Sequence, residues 1–365
     1  MRISTVISSV VLTASLSGCF LLPSSSPAPT VDTSLYTDLP PVSTVSGYLI
    51  DPEAFFVINY NFPVDPSDPE GPPPPLLTNG IPAFEFSSAS GANVSLVSGA
   101  SETSSAPSQQ DGVWQVFNVP TSDTTSYVLK AVPSDSGVAL GAGAPYPSPV
   151  PLPTSKYVPT ITLRDIVPSV PSCQFMITTL VREDGALTAL AKRRTADGLS
   201  TTVADLTNPA KTRGVLLMWV FAPSFMLDWF QFQADQIQVT STGNTIYALD
   251  WKDAGTGGAT QSPLGFIATK ASVSPIGYYA IVLPASATGD VSVEFTDKGS
   301  GPDPFGQRPW SIPPLMTTLQ SGAVSVARVF SYPGGDDSGP PPTDTDDEPT
   351  PVLPGNDLGR LCFPP

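Results

Sequence analysis

The chain has 365 residues with 16 Lys and Arg against 32 Asp and Glu, a formal charge of −16, and no histidine. So acidic a surface offers no footprint for nucleic acid, and the missing imidazole removes the commonest general base and zinc ligand along with histidine-dependent serine and cysteine catalysis. Forty-four prolines and 29 glycines make up about a fifth of the chain, above ordinary usage, yet 40% of residues are hydrophobic, enough to fill cores between proline-marked loops.

The N-terminus carries one positive charge, Arg2, then an uncharged run from Ile3 to Leu16. That run has the length of a signal-peptide core and is short for a bilayer span. It ends in Leu16-Ser17-Gly18-Cys19, which resembles the lipobox of bacterial lipoproteins. The resemblance implies cleavage after residue 18 and acylation of Cys19, with the membrane as the first partner. Each buried methylene contributes about 0.8 kcal/mol, so two or three acyl chains hold durably where one would exchange. Residues 19–44, rich in Ser, Thr and Pro, read as a flexible tether. Phe20 follows the cysteine, with no aspartate of the inner-membrane retention type, so the expected location is the cell envelope at the outer membrane.

Short apolar runs bounded by Gly and Pro follow: VSGYLI from Val45, AFFVINY from Ala54, ANVSLVS from Ala92, VWQVFNV from Val113 and SYVLKAV from Ser126. All five read as strands, and their close spacing predicts an all-β antiparallel sandwich. The pattern of Gly91, Ala92, Val94 and Leu96, then Asp111, Gly112, Trp114, Phe117, Val119 and Pro120, then Tyr127, resembles the carboxypeptidase regulatory-like, or transthyretin-like, sandwich. The proline-rich insertion from Val64 departs from that pattern and must loop out of any ladder. A second copy is expected downstream, with Gly277, Tyr279 and Pro284 in the places of Gly112, Trp114 and Pro120, and with the next strand seven residues after the proline, at Tyr127 and at Val291.

The expected organisation is therefore a signal peptide over 1–18, a tether over 19–44, one Ig-like or transthyretin-like sandwich over 45–165 and a second over 172–332. An acidic, proline-rich tail occupies 333–365. Tyr146 to Ser155 reads as a stiff proline linker or edge loop, CQFMITTLV from Cys173 as the opening of the second domain, and ALTALAK from Ala186 as one or two helical turns. GVLLMWVFAPSFMLDWFQFQ from Gly214 is the most apolar stretch past the leader; it reads as a buried strand to Phe221, a turn and a second strand, with exposure of Phe225, Trp229 and Phe230 to a partner or glycan as the alternative.

With Cys19 assigned to lipid, Cys173 and Cys362 remain as an even pair in an oxidising compartment, and a disulfide between them is expected, docking the end of the tail on the second domain. Asp65, Asp68 and Glu70 lack EF-hand spacing and read as a surface turn, so no metal site and no cofactor are assigned. Of the tryptophans, Trp114 and Trp219 read as core, whereas Trp229, Trp251 and Trp310 are the aromatics available to a ligand, Trp251 and Trp310 by their loop-like surroundings. Nothing selects a catalytic residue set. The expected function is non-enzymatic adhesion, scaffolding or partner binding toward an envelope protein, with a polysaccharide-binding accessory role as the alternative.

Overall fold

The structure, a computed structural model, describes residues 42–61, 80–144, 147–148, 150–221, 234–252, 255–300 and 308–334. Its elements begin with β1 (Val42–Ile50), α1 (Pro52–Tyr60), α2 (Gly80–Ser87), β2 (Ala89–Ser90), β3 (Ala92–Ser98), β4 (Ser101–Pro107), β5 (Val113–Pro120), β6 (Tyr127–Pro133) and β7 (Ala139–Leu140). They continue with β8 (Tyr157–Val158), β9 (Thr160–Ile166), β10 (Cys173–Thr179), β11 (Val181–Arg182), α3 (Thr188–Ala196), α4 (Val203–Leu206) and β12 (Thr212–Phe221). The last are β13 (Ile237–Thr240), β14 (Ile246–Trp251), β15 (Phe266–Lys270), β16 (Tyr278–Pro284), β17 (Val291–Asp297), β18 (Trp310–Ser311), β19 (Leu315–Thr317), β20 (Val324–Phe330) and β21 (Tyr332–Pro333). The expected leader, nearly all of the tether and the acidic tail lie outside the described residues, as do Asp65, Asp68, Glu70 and the segment 222–233.

The chain is predominantly β and sandwich-like, and its strand pairing repeats. In the first half β1 runs antiparallel to β5 and parallel to β10, while β6 lies antiparallel to both β3 and β9. In the second half β12 runs antiparallel to β16 and parallel to β20, while β17 lies antiparallel to both β13 and β19. The correspondence reaches single residues. Gly112 and Gly277 both have positive φ, at 81° and 68°. The carbonyl of each accepts from the neighbouring strand at 2.8 Å, from Leu49 N–H and from Val220 N–H. A Cβ on either would strike that strand's backbone, at 2.7 Å from Leu49 O and 2.5 Å from Val220 O. The strands after these glycines end at Pro120 and Pro284, and the next begin at Tyr127 and Val291.

Each half closes on a core of its own. Val45, Leu49, Val94, Leu96, Trp114 and Leu129 fill the first, between the sheet β10-β1-β5 and the strands β9-β6-β3-β4. Leu216, Met218, Ile237, Val239, Tyr279 and Ile281 fill the second, between β15-β14-β16-β12-β20 and β13-β17-β19. The four- and five-stranded arms are one nine-stranded sheet, joined where β20 pairs in parallel with β9 through Val324 and Thr160, Ser325 and Ile161, Val326 and Thr162. The sheet thus contains strands from both expected domains, 45–165 and 172–332. Cys173–Thr179, expected to open the second domain, instead pairs in parallel with β1 and belongs to the first half's sheet. Parallel pairing of strands far apart in sequence leaves no local turn signal, which is why neighbouring residues alone misassign it.

The apolar run in β12 has a physical reason. Leu216, Met218 and Val220 face the second sandwich core, while Val215 and Leu217 face a third layer formed with Val57 of α1, Leu187 and, from α3, Ala189 and Leu190. A strand buried on both faces has no polar alternation to show.

AFFVINY is a helix, not the expected strand. Asp51 caps it, its Oδ1 accepting from Glu53 N–H at 3.0 Å and Ala54 N–H at 2.9 Å, and Pro52 occupies the first helical turn. Ala54, Val57 and Ile58 face inward at helical spacing, so the cap and the period of the burial override the strand preference of Phe, Val and Ile. The ALTALAK helix also exceeds its expected length, reaching Ala196.

Candidate functional site

Two carboxyls emerge where β1 turns into α1, and both are fully buried, Asp51 at 0% and Glu53 at 0% exposure. Asp51 spends Oδ1 on the helix cap and keeps Oδ2 for Tyr157, whose hydroxyl donates at 2.9 Å, and for Arg182 Nη1 at 3.3 Å. Arg182, 1% exposed at the end of β11, also donates Nε to Asp184 Oδ1 at 2.5 Å and Nη2 to the Pro153 carbonyl. Glu53 Oε1 accepts from the Tyr278 hydroxyl at 2.7 Å and from Ala186 N–H at 3.1 Å. Tyr278 lies on β16, so the cluster ties α1 and the paired strands β8 and β11 to the second half's sheet. The turn carrying Ala186 approaches so closely that a Cβ at Gly185 would sit 1.5 Å from Glu53 Oε2.

Burial, and then the neighbouring Asp51 charge, push Glu53 from its ordinary 4.5 to about 8. Burial also raises Asp51, while Arg182 and the capping N–H groups pull it back. Glu53 therefore carries a proton at neutral pH when folded and loses it when unfolded. Its contribution to stability is complete below pH 4.5 and disappears as pH climbs toward 8, at up to about 1.4 kcal/mol per pH unit. Glu53→Gln, which keeps an acceptor for Tyr278 and Ala186, is expected to flatten that decline. Urea midpoints at three pH values between 5 and 9 check it, and a variant whose midpoints fall in parallel with the parent's refutes the assignment. Chemically the cluster is sealed: neither carboxyl meets solvent, so it can hold segments together but cannot present an acid to a substrate.

Of the aromatics singled out in the sequence, Trp310 is buried at 4%, which corrects its expected exposure, and its backbone N–H donates to Asp297 Oδ2 at 2.9 Å. Trp251 is half-buried at the end of β14, donates its indole N–H to Leu264 O at 3.0 Å, and meets Tyr60 edge-on at 4.6 Å. Phe56 touches both Trp251 and Trp219, and Trp219 stacks on Tyr278 at 3.8 Å and 11°. Trp114 is core, as expected, and Trp219 is half-buried against the third layer. Within this group Tyr60, 65% exposed, is the ring that reaches solvent most. Trp229, Cys19 and Cys362 lie outside the described residues, and Cys173 stands exposed at the start of β10 with Ser46 Oγ 4.0 Å from its sulfur.

Sequence reading missed Asp51, Glu53, Arg182 and Tyr278. The signal for the first two was the Asp-Pro-Glu order, a helix cap with a first-turn acid. Arg182 had none, since the carboxylate it meets, on Asp51, lies 131 positions away in the sequence. Among the described residues, no three Cys, Asp or Glu gather as metal ligands, and no helix is long and apolar enough to cross a membrane. No protein-family model matches the chain, and no curated protein matches it either.

Proposed function

We propose that this chain is a bacterial lipoprotein, cut before Cys19 and acylated on its thiol, that displays two carboxypeptidase regulatory-like sandwiches in the cell envelope as a non-enzymatic scaffold for a protein partner. The observation that carries the reading is the repeated pairing scheme, in which both halves spend their interiors on side chains and the deepest polar cluster is closed to solvent. A sandwich filled in this way works through its surface, and a tether rich in Ser, Thr and Pro suits display away from a bilayer. A Cys173–Cys362 disulfide belongs to the same proposal, as exported chains of this kind pair their thiols.

The aromatic group around Phe56 argues against a sugar platform, because Trp219 and Trp251 use their rings on protein neighbours. Cross-linking the anchored protein in intact cells that make it tests the function. A recurrent protein partner is the expected result. Recovery of carbohydrate alone would replace the scaffold with polysaccharide binding, and a hydrolase activity abolished by one Asp or Glu substitution would overturn both.

A further inference from the structure

β10 lies at the margin of the sheet β10-β1-β5. Leu180 N–H reaches Ile50 O and Thr44 N–H reaches Ser172 O, each at 2.9 Å, so the even-numbered residues of this strand turn their backbone toward β1. The odd-numbered ones face outward. At Thr179 that outward N–H is taken by Thr162 Oγ1 at 3.0 Å. Phe175 and Ile177, nearer the start, have no backbone partner among the described residues. An edge of this kind is a template for an added strand.

The sequence contains a segment suited to it. The described chain stops at Gly334, and the roughly 23 residues before Leu358 span up to about 75 Å when extended, more than the about 50 Å breadth of a compact unit of this size. Past the acidic tail comes Leu358-Gly359-Arg360-Leu361-Cys362, followed by Phe363, Pro364 and Pro365. A parallel strand with Cys362 beside Cys173 would set Pro364, which has no N–H, opposite Phe175. An antiparallel strand has five residues to offer. It sets Arg360 opposite Phe175 and Leu358 opposite Ile177, whose outward groups it satisfies, and places Gly359 beside Met176, a core residue. Cys173, odd-numbered like Phe175 and Ile177, forms a hydrogen-bonded pair with Cys362 in this register, and the Cα atoms of such a pair stand about 5.5 Å apart, within disulfide range.

We propose that Leu358–Cys362 adds an antiparallel strand to the outer edge of β10, so that the chain end docks on the first sandwich and not on the second. The inference rests on the disulfide reading above for its register. Residue-resolved amide hydrogen exchange on the full, oxidised chain tests it, with Arg360→Pro and a chain ending at Asp357 as comparisons and a non-reducing peptide map run alongside. Phe175 and Ile177 are expected to exchange at least about tenfold faster in both comparisons, while Met176 and Thr178, which face β1, change little. Equal exchange in parent and Arg360→Pro overturns the strand even where the map finds Cys173 joined to Cys362. Protection that Arg360→Pro abolishes, with no disulfide in the map, removes the bond and leaves the strand standing.

Discussion

Gly47→Ala is expected to abolish stable folding of the first sandwich. Gly47 sits in the middle of β1, paired with Met176 of β10 on one side and Trp114 of β5 on the other. A Cβ there would lie 1.6 Å from Met176 O and 2.7 Å from Met176 C, both backbone atoms of a strand that cannot withdraw without breaking its ladder. Overlap with a neighbouring main chain belongs to the small class of substitutions that cost more than about 4 kcal/mol, against a total stability of about 5–15 kcal/mol. Gly289 supplies the control. It has φ of 80°, and no atom lies within 4 Å of the place a Cβ would take, so its alanine variant carries only backbone strain of about 1–2 kcal/mol. Soluble yield and thermal unfolding of the two variants decide the matter, and a Gly47→Ala chain melting with the parent would show that β1 and β10 are not packed as described.

Arg182→Met is expected to cost about 3–5 kcal/mol, the usual penalty for removing one member of a buried ion pair. Methionine fills much of the volume but leaves Asp51 without its counter-charge and Asp184 without the guanidinium that binds it at 2.5 Å. Adding Asp51→Asn should recover part of that loss, since asparagine still caps α1 and no longer brings a buried charge. Urea denaturation of the two single variants and the double variant gives the coupling directly. Arg182→Met within about 1 kcal/mol of the parent would mean that water, not protein, surrounds the cluster.

Strand positions were legible wherever glycine, an aromatic and a closing proline fell in order: ANVSLVS and the run from Val113 are strands over nearly the residues read from sequence, and the second copy repeats the first down to the turn at Gly277. What escaped were features set by distant partners. The helix at Pro52–Tyr60 is decided by its cap and by a core that takes only every third or fourth residue. The fusion of the halves is decided by a parallel pairing of Thr160–Thr162 with Val324–Val326, segments with no mutual sequence signal. The buried cluster was hidden for the same reason: Arg182 looks like a surface charge until Asp51, 131 positions earlier, is brought to it. Trp310 misled in the opposite direction, because its proline-rich surroundings suggested a loop while β18 pairs it with β21 and buries it.

Attachment of this chain to a membrane through Cys19 is the proposal on which the rest of the functional reading depends, and the mass of the N-terminal peptide, taken from protein purified out of the membrane fraction, tests it most directly. The expected result is a chain beginning at Cys19 and carrying two or three acyl groups, with Cys19→Ala left uncut and without them. An N-terminal peptide with an unmodified Cys19 thiol, or a Cys19→Ala protein as firmly membrane-bound as the parent and unchanged in mass, would contradict it.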